Sequence, residues 1–486
     1  MKLNKLYIVL VLIGFTGVFI SCEKDLDVLP SEALSEVDFL SKPENAIQLV
    51  TGIYNAQLRW EMYSFAWIGM TSITSDDADK GSTPNDTGTD KKKLDGLSWD
   101  PSDISFKDVW NARYDGIYRA NTAIHYLELT ELDSTLKNQL LGEVKFLRAL
   151  FYFDLVRCFG GVPLVTTTID INDTETINQV VFVRKPVEEV YAQIEADLLS
   201  AADLLPLKSQ QGGSDLGRAS KGAAQALLAK AYLYQQKWNE SEAMADEVIA
   251  SGEYGLLGDY ADVWKEIAEN GIESIYEVQA SPNLGLQGYT DVQSPRGTPD
   301  LGWGFNTPTL DLLNSYEEGD LRKAATIMEV TPDSLLWDGY VMSGSWNNPR
   351  YNYKAYQSSI AESWNGNKSN TAKNLRILKY SDLLLIKAEA ALQQGKEGEA
   401  LIYVNLIRNR AGLSSKSSLT FDELYNERRW EMAMEHDRWF DLIRTGRAAA
   451  VMAAHGKAFI AGKHEVFPIP EEQIIASGGL LEQNNY

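Results

Sequence analysis

Apolar positions recur along most of this chain at helical spacing, with polar residues between them. From about 43 to 59 the spacing places Ile47, Val50, Ile53 and Tyr54 on one side of a helix opened by Lys42-Pro43, proline suiting a first turn. Helices are predicted again over 106–130 and 135–158. In the second, Leu140, Val144, Leu147, Phe151 and Leu155 share a face, and Gly160-Gly161 followed by Pro163 stops it. Further helical periods run over 186–204, 219–236, 239–251, 380–394, 397–411 and 421–446. Residues 75–102 carry Asp, Lys, Gly, Thr and Pro with little periodicity and read as one long loop.

Two helical segments repeat a pattern. Ala231 is followed after 12 residues by Ala243 in AKAYLYQQKWNESEA, and Ala388 after 12 residues by Ala400 in IKAEAALQQGKEGEA. Helix, short polar turn and second helix, with small residues where the helices approach, is the logic of a tetratricopeptide hairpin, a coincidental antiparallel pair being the alternative. Between the repeats, residues 255–375 change character. Gly, Pro, Asn and Ser punctuate short strands there, and Trp264, Trp303, Trp337, Trp346 and Trp364 all fall within it. The predicted fold is mostly α: tetratricopeptide-like hairpins with an inserted irregular lobe rich in loops and short strands. The expected divisions are a scaffold over 41–254, an irregular lobe over 255–375, and C-terminal hairpins with a coil tail over 376–486.

The first residues read as an address. Lys2 and Lys5 precede an uncharged run from Leu6 to Ile20 that is short for a membrane span, and Phe19-Ile20-Ser21-Cys22 ends it. Residues 1–21 are expected to be a lipoprotein signal, Cys22 the lipidated residue, and 22–40 a polar tether. An ordinary secretory signal with an incidental cysteine is the alternative. Cys158, the other cysteine, sits among apolar neighbours and suits a buried thiol. A formal charge of −23 disfavours nucleic acid as a partner. Lys91-Lys92-Lys93 is a local exception, read as a solvated loop.

Candidate chemistry is sparse. The stretch from Glu427 to Arg447 crowds Arg, Trp, Glu and His, and Glu431, Glu435 and His436 invite a metal reading. On one helix, however, His436 is turned about 100° from Glu435. Packing by Trp430, Met434 and Phe440, with ion pairs from Arg428, Glu431 and Asp441, is the better reading. Nucleophile elbow, Walker loop and dinucleotide fingerprint are all absent, so no catalytic residue, metal or cofactor is expected. Paired carboxylates of a glycosidase are not excluded by spacing in sequence.

Several blocks carry a family resemblance: FLRALFYFDLVRCFGGVPLV (146–165), GRASKGAAQALLAKAYLY (217–234), SGEYGLL (251–257), LKYSDLLLIKAEAALQQG (378–395), IRNRAGL (407–413), RWFDLIRTGR (438–447) and the ending from FPIPEEQIIAS to LEQNNY. In this order, behind a lipoprotein signal, they resemble the RagB/SusD family over nearly the whole chain. The resemblance implies a glycan-binding lipoprotein on the cell surface, anchored in the outer membrane and without catalysis, and it assigns the ligand-binding site to the 255–375 lobe. It also implies a partner: a TonB-dependent outer-membrane barrel transporter of the SusC type, on which the lipoprotein sits as a lid. A surface-anchored glycosidase and a peptide-binding hairpin scaffold are the competing classes. Neutral glucans, host glycans and uronic-acid polymers all stay open as ligands.

A sugar offers an apolar face and a rim of hydroxyls, so its site needs exposed aromatic planes and a few polar side chains. Trp303 is the first candidate platform, because Gly302 and Gly304 leave its ring uncovered; the resemblance also implies a stacking tryptophan there. Tyr289 after Gly288 is the second. Polar partners are expected from the loop after Ser75, with Asp77, Asp79 and Lys80 the candidates. The family often has tryptophan in that loop, whereas this chain has none between Trp67 and Trp99. The alternative for Trp303 is packing within the lobe. Trp99, Trp110, Trp238 and Trp430 read as structural.

Overall fold

The computed structural model describes residues 39–486 apart from residue 333. The expected signal segment, Cys22 and most of the tether lie outside the described residues. Among the described residues ten helices build the scaffold. They are α1 (Pro43–Ala56), α2 (Ile104–Leu129), α3 (Ser134–Phe159), α4 (Val187–Leu204), α5 (Lys221–Tyr234), α6 (Trp238–Ala250), α7 (Tyr380–Gln393), α8 (Glu397–Arg410), α9 (Phe421–Met432) and α10 (Arg438–Arg444). From α2 to α9 each helix packs on the next, as in a stacked helical array. One core joins α1–α7 and α10, running through Leu147, Phe151 and Leu155 of α3, Leu227 of α5, Ile386 of α7 and Trp439 of α10. In a second cluster α8 and α9 pack through Val404, Ile407 and Leu424 against Leu384 and Ala388 of α7. Local capping agrees with this layout. Asp133 accepts from the backbone N–H of Thr135 and Leu136 at the start of α3, and Thr420 with Glu423 forms a capping box on α9.

The two hairpins match, but in a register two residues from the one read in sequence. Gln236 (φ +59°) and Gly395 (φ +75°) occupy the same left-handed turn position. In both turns the next lysine, Lys237 or Lys396, donates its backbone N–H five residues back, to Tyr232 or Ala391. The equivalent close-approach pairs are therefore Ala229 with Ser241 and Ala388 with Ala400, all fully buried. Ser241 Oγ donates to the Ala229 carbonyl at 2.8 Å, a contact only a small residue allows. Ala231 is buried, but Ala243 faces solvent.

Three expectations change. The helix predicted over 421–446 is broken between α9 and α10, where Met434 (φ +66°) and His436 (φ +71°) adopt left-handed backbone. Buried charge explains the break. Glu435 accepts from Lys354 at 2.6 Å, and Asp437 from Lys230 at 2.5 Å and Arg157 at 3.1 Å. On one unbroken helix these two carboxylates lie about 200° apart, and neither can stay buried unpaired. Second, residues 75–102 are not a structureless loop, since they hold β1 (Ala78–Gly81) and a helix over Thr89–Asp95. Third, Lys91 is not solvated. Its stem lies under Gly69, and its ammonium reaches Asp90 (2.6 Å) and Ser105 (2.7 Å) over the Phe65 ring (4.0 Å). A lysine stem serving as the apolar face hides the helical period from sequence.

The chain enters the lobe along β2 (Ser274–Val278) and returns along β6 (Leu375–Lys379), its antiparallel partner, which runs straight into α7. Inside the lobe β3 (Phe305–Pro308) pairs with β1 of the N-terminal half, Ala78 opposite Pro308 and Gly81 opposite Phe305. There too β4 (Ile327–Glu329) pairs with β5 (Arg350–Asn352). The β1–β3 ladder ties the lobe to the segment after Ser75. Cys158 and Trp110 are buried as expected, and Trp99 is fixed by an indole N–H bond to the Tyr486 hydroxyl at 2.9 Å. Among the described residues no helix is long and apolar enough to cross a membrane.

Candidate functional site

Trp303 stands on a turn that glycine makes possible. A side chain at Gly302 would meet the Asp291 carbonyl at 2.4 Å, so the backbone presses directly on the short helix Tyr289–Gln293. Trp303 donates its backbone N–H to that carbonyl at 2.7 Å, and Gly304 (φ +70°) donates to the Ser294 carbonyl at 2.9 Å. The turn is held while Trp303 as a whole stays 37% exposed. Trp60 supports it at 5.4 Å between ring centroids, and Phe65 meets it edge-on at 5.8 Å. Phe65 in turn packs on Phe305 at 4.6 Å. Trp60 rests on Gly288 (φ +69°), where a Cβ would come within 2.0 Å of the indole. Trp60 went unnoticed in sequence because its short helix lies 243 positions from Trp303 and carries no motif.

Next to this platform, Asp300 and Leu301 open a cleft of about 310 Å³ whose walls include Tyr340, Gln357, Trp364 and Lys368. Trp364 is 37% exposed, and Lys368 pairs with Asp300 at 3.2 Å. Asp291 lies beneath, one carboxylate oxygen accepting from Ser369 Oγ at 2.7 Å; burial raises its pKa. Two aromatic planes and a rim of amide, hydroxyl and charged groups suit a ligand with an apolar face and many hydroxyls.

The remaining sequence candidates divide. The ladder does bring the segment after Ser75 to the platform, as Ser82 donates its backbone N–H to the Gly304 carbonyl at 2.5 Å. Asp79 is exposed, with Asp95, Lys457 and Arg350 as its charged neighbours. Asp77 is buried and bound to Arg429 at 2.7 Å, beside Asp76, which takes two bonds from Arg438 at 2.8 Å. Lys80 is buried, committed to Asp86 at 2.7 Å and the Thr83 carbonyl at 3.0 Å. Tyr289 turns inward, its hydroxyl 3.0 Å from His436 Nε2 and its ring lining an internal cavity of about 20 Å³. Asp77, Lys80 and Tyr289 thus spend their polar groups inside the protein, on partners the sequence places up to 352 residues away.

Nor does the Glu427–Arg447 stretch make a metal centre. Glu431 is buried among Arg410 (2.5 Å), Lys379 (3.2 Å) and Arg322 (3.4 Å), which hold its carboxyl well below the usual range against the cost of burial. Among the described residues two other groups bring metal-type ligands together. Lys387 Nζ lies 2.8, 2.8 and 2.6 Å from Glu242, Asp246 and Glu399, and Arg429 sits between Asp76 and Asp311. In each the protein's own cation fills the place of an ion.

Scaffold and site define a class: a tetratricopeptide-like helical protein presenting an aromatic platform on an inserted lobe. A SusD-like family model described as starch-binding associating with outer membrane matches residues 26–233, and the SusD family model matches residues 328–486. The chain belongs to the RagB/SusD family. It is 26% identical to SusD-like protein P2 of Formosa agariphila, covering 100% of this chain and 99% of that one. It is 28% identical to a SusD-like protein of Bacteroides ovatus over 70% of this chain and 66% of the relative. A solved laminarin binding SusD-like protein superimposes with a TM-score of 0.77 at 27% identity, covering 91% of this chain and 99% of that one.

Proposed function

We propose that this protein captures a glycan at the cell surface and hands it, without hydrolysing it, to a TonB-dependent outer-membrane transporter that it covers as a lid. The observation that carries the reading is the Trp303 ring, exposed on a glycine-built turn and backed by Trp60. Asp300 and Lys368, in the adjoining cleft, supply hydrogen bonds beside it. The laminarin-binding relative supports a glycan as ligand, and the family supports the outer-membrane setting. Anchoring is assigned to acylated Cys22.

Affinity electrophoresis of the mature protein through gels containing laminarin, starch or polygalacturonate tests the binding. Retardation by at least one glycan with no release of reducing ends is expected; reducing-end release would favour a glycosidase, and failure to bind any glycan while binding peptides would favour the peptide scaffold. Mild-detergent purification of tagged protein from its native host should recover one large barrel protein. The Cys22→Ala variant should leave the membrane fraction when that barrel is absent.

A further inference from the structure

A second cleft, of about 390 Å³, opens at Arg59, the residue before Trp60. Its walls are Asn55, Arg59, Arg119, Asn283, Gln287 and Asn370, over a floor of small and aliphatic residues. It adjoins the platform covalently and by hydrogen bond. Arg59 precedes Trp60 in the chain, and Gln287 accepts the Trp60 backbone N–H at 3.1 Å while donating its own to Leu58 at 2.9 Å.

The charge of this cleft is opposite to that of the protein. The chain carries 68 acidic against 45 basic residues, yet among the described residues the charged groups lining the cleft are two guanidiniums. Both lean on a single carboxylate: Asp115 Oδ2 accepts from Arg59 Nη2 at 2.8 Å and from Arg119 Nε at 2.8 Å. Two cations sharing one anion leave one positive charge and several N–H donors uncommitted, and Arg59 Nε is buried with no protein acceptor. Four carboxamides add neutral donors and acceptors. Among the described residues no aromatic plane lines this cleft, so what it offers is charge and hydrogen bonding, and guanidinium pairs oxyanions in a planar fork.

We infer that the Arg59–Arg119 cleft binds an oxyanion substituent, a carboxylate or a sulfate ester, on a sugar unit next to the one stacked on Trp303. This rests on the glycan reading above and narrows it to an acidic glycan. Both arginines are part-exposed, 37% and 43% by side chain, so the preference is salt-sensitive.

Calorimetric titration of the mature protein with laminarihexaose, an oligogalacturonate and a sulfated oligosaccharide of similar length tests it. At 50 mM salt at least one anionic probe is expected to bind ten times more tightly than the neutral one, which of the two distinguishing carboxylate from sulfate. Arg119→Gln, which leaves Arg59 on Asp115, should erase most of that margin and change neutral binding less than twofold. Asp115→Asn, which frees the second guanidinium, should tighten the anionic probe about threefold. Equal affinity for neutral and anionic probes, or a margin that survives Arg59→Gln/Arg119→Gln, overturns the inference. Neutral binding that Trp303→Ala abolishes, with no anionic preference, leaves the platform standing without this cleft; no binding of any probe removes both.

Discussion

The Tyr289 hydroxyl lies 3.0 Å from Nε2 of His436, and Nδ1 of the same ring lies 3.1 Å from the Thr71 hydroxyl. One imidazole thus joins the lobe to the first scaffold segment through both its nitrogens, in a residue whose backbone is left-handed.

That position makes His436 a pH-dependent element of stability. Burial pushes its pKa down from 6.5 to about 4, opposed by the nearby Asp437 carboxylate. Its unfolded form binds a proton first, so its stabilising contribution is complete above pH 6.5 and is lost as pH falls from 6.5 to 4. A shift of that size corresponds to about 3 kcal/mol. Urea unfolding at pH 7.5 and 4.5 should show a difference that shrinks by about that much in His436→Asn, asparagine tolerating the left-handed backbone. An unchanged difference would mean that His436 is not the titrating group.

At the platform, a pyranose covering the Trp303 indole buries apolar area worth roughly 1.5–2.5 kcal/mol at about 25 cal/mol per Å². Trp303→Ala should therefore weaken glycan binding at least tenfold. Because Trp303 is already 37% exposed, the melting temperature should move little. Trp60→Ala should weaken binding as well, through loss of the support beneath the stacked ring.

Within the scaffold, Asp382 accepts from Lys230 at 2.9 Å and Arg428 at 2.6 Å, all three side chains buried. These cations hold its carboxyl far below the ordinary value, against the opposing cost of burial. Asp382→Asn leaves them short of countercharge and should destabilise by about 3–5 kcal/mol in denaturant unfolding. A loss under 1 kcal/mol would show that Asp437 and Asp441 suffice to neutralise the cluster.

The paired hairpin turns give a quieter test. Gly395 has open space where a Cβ would go, so Gly395→Ala should cost about 1 kcal/mol from left-handed backbone alone. Gln236→Gly, at the matching position, should gain ~0.5 kcal/mol. Opposite signs of these two changes in a thermal melt would support the two-residue register shift between hairpins.

The scaffold helices were legible in sequence because each buries a stripe against its neighbours, and a 3.6-residue period survives whatever those neighbours are. So was the change of character at the lobe, since turn residues act locally. The hairpin register was misread because Ala231 and Ala243 match Ala388 and Ala400 in spacing, while the turn that sets the match is a backbone feature Gln236 does not advertise. The part-exposed turn at Trp303 showed itself through its own glycines. Its support by Trp60, the inward turn of Tyr289 and the commitment of Asp77 to Arg429 did not, because each depends on a partner 147 to 352 residues away. Local periodicity determined where the helices lie; which polar groups remain free for a ligand was decided only when folding paired the buried charges, since an unpaired one is too costly to leave inside.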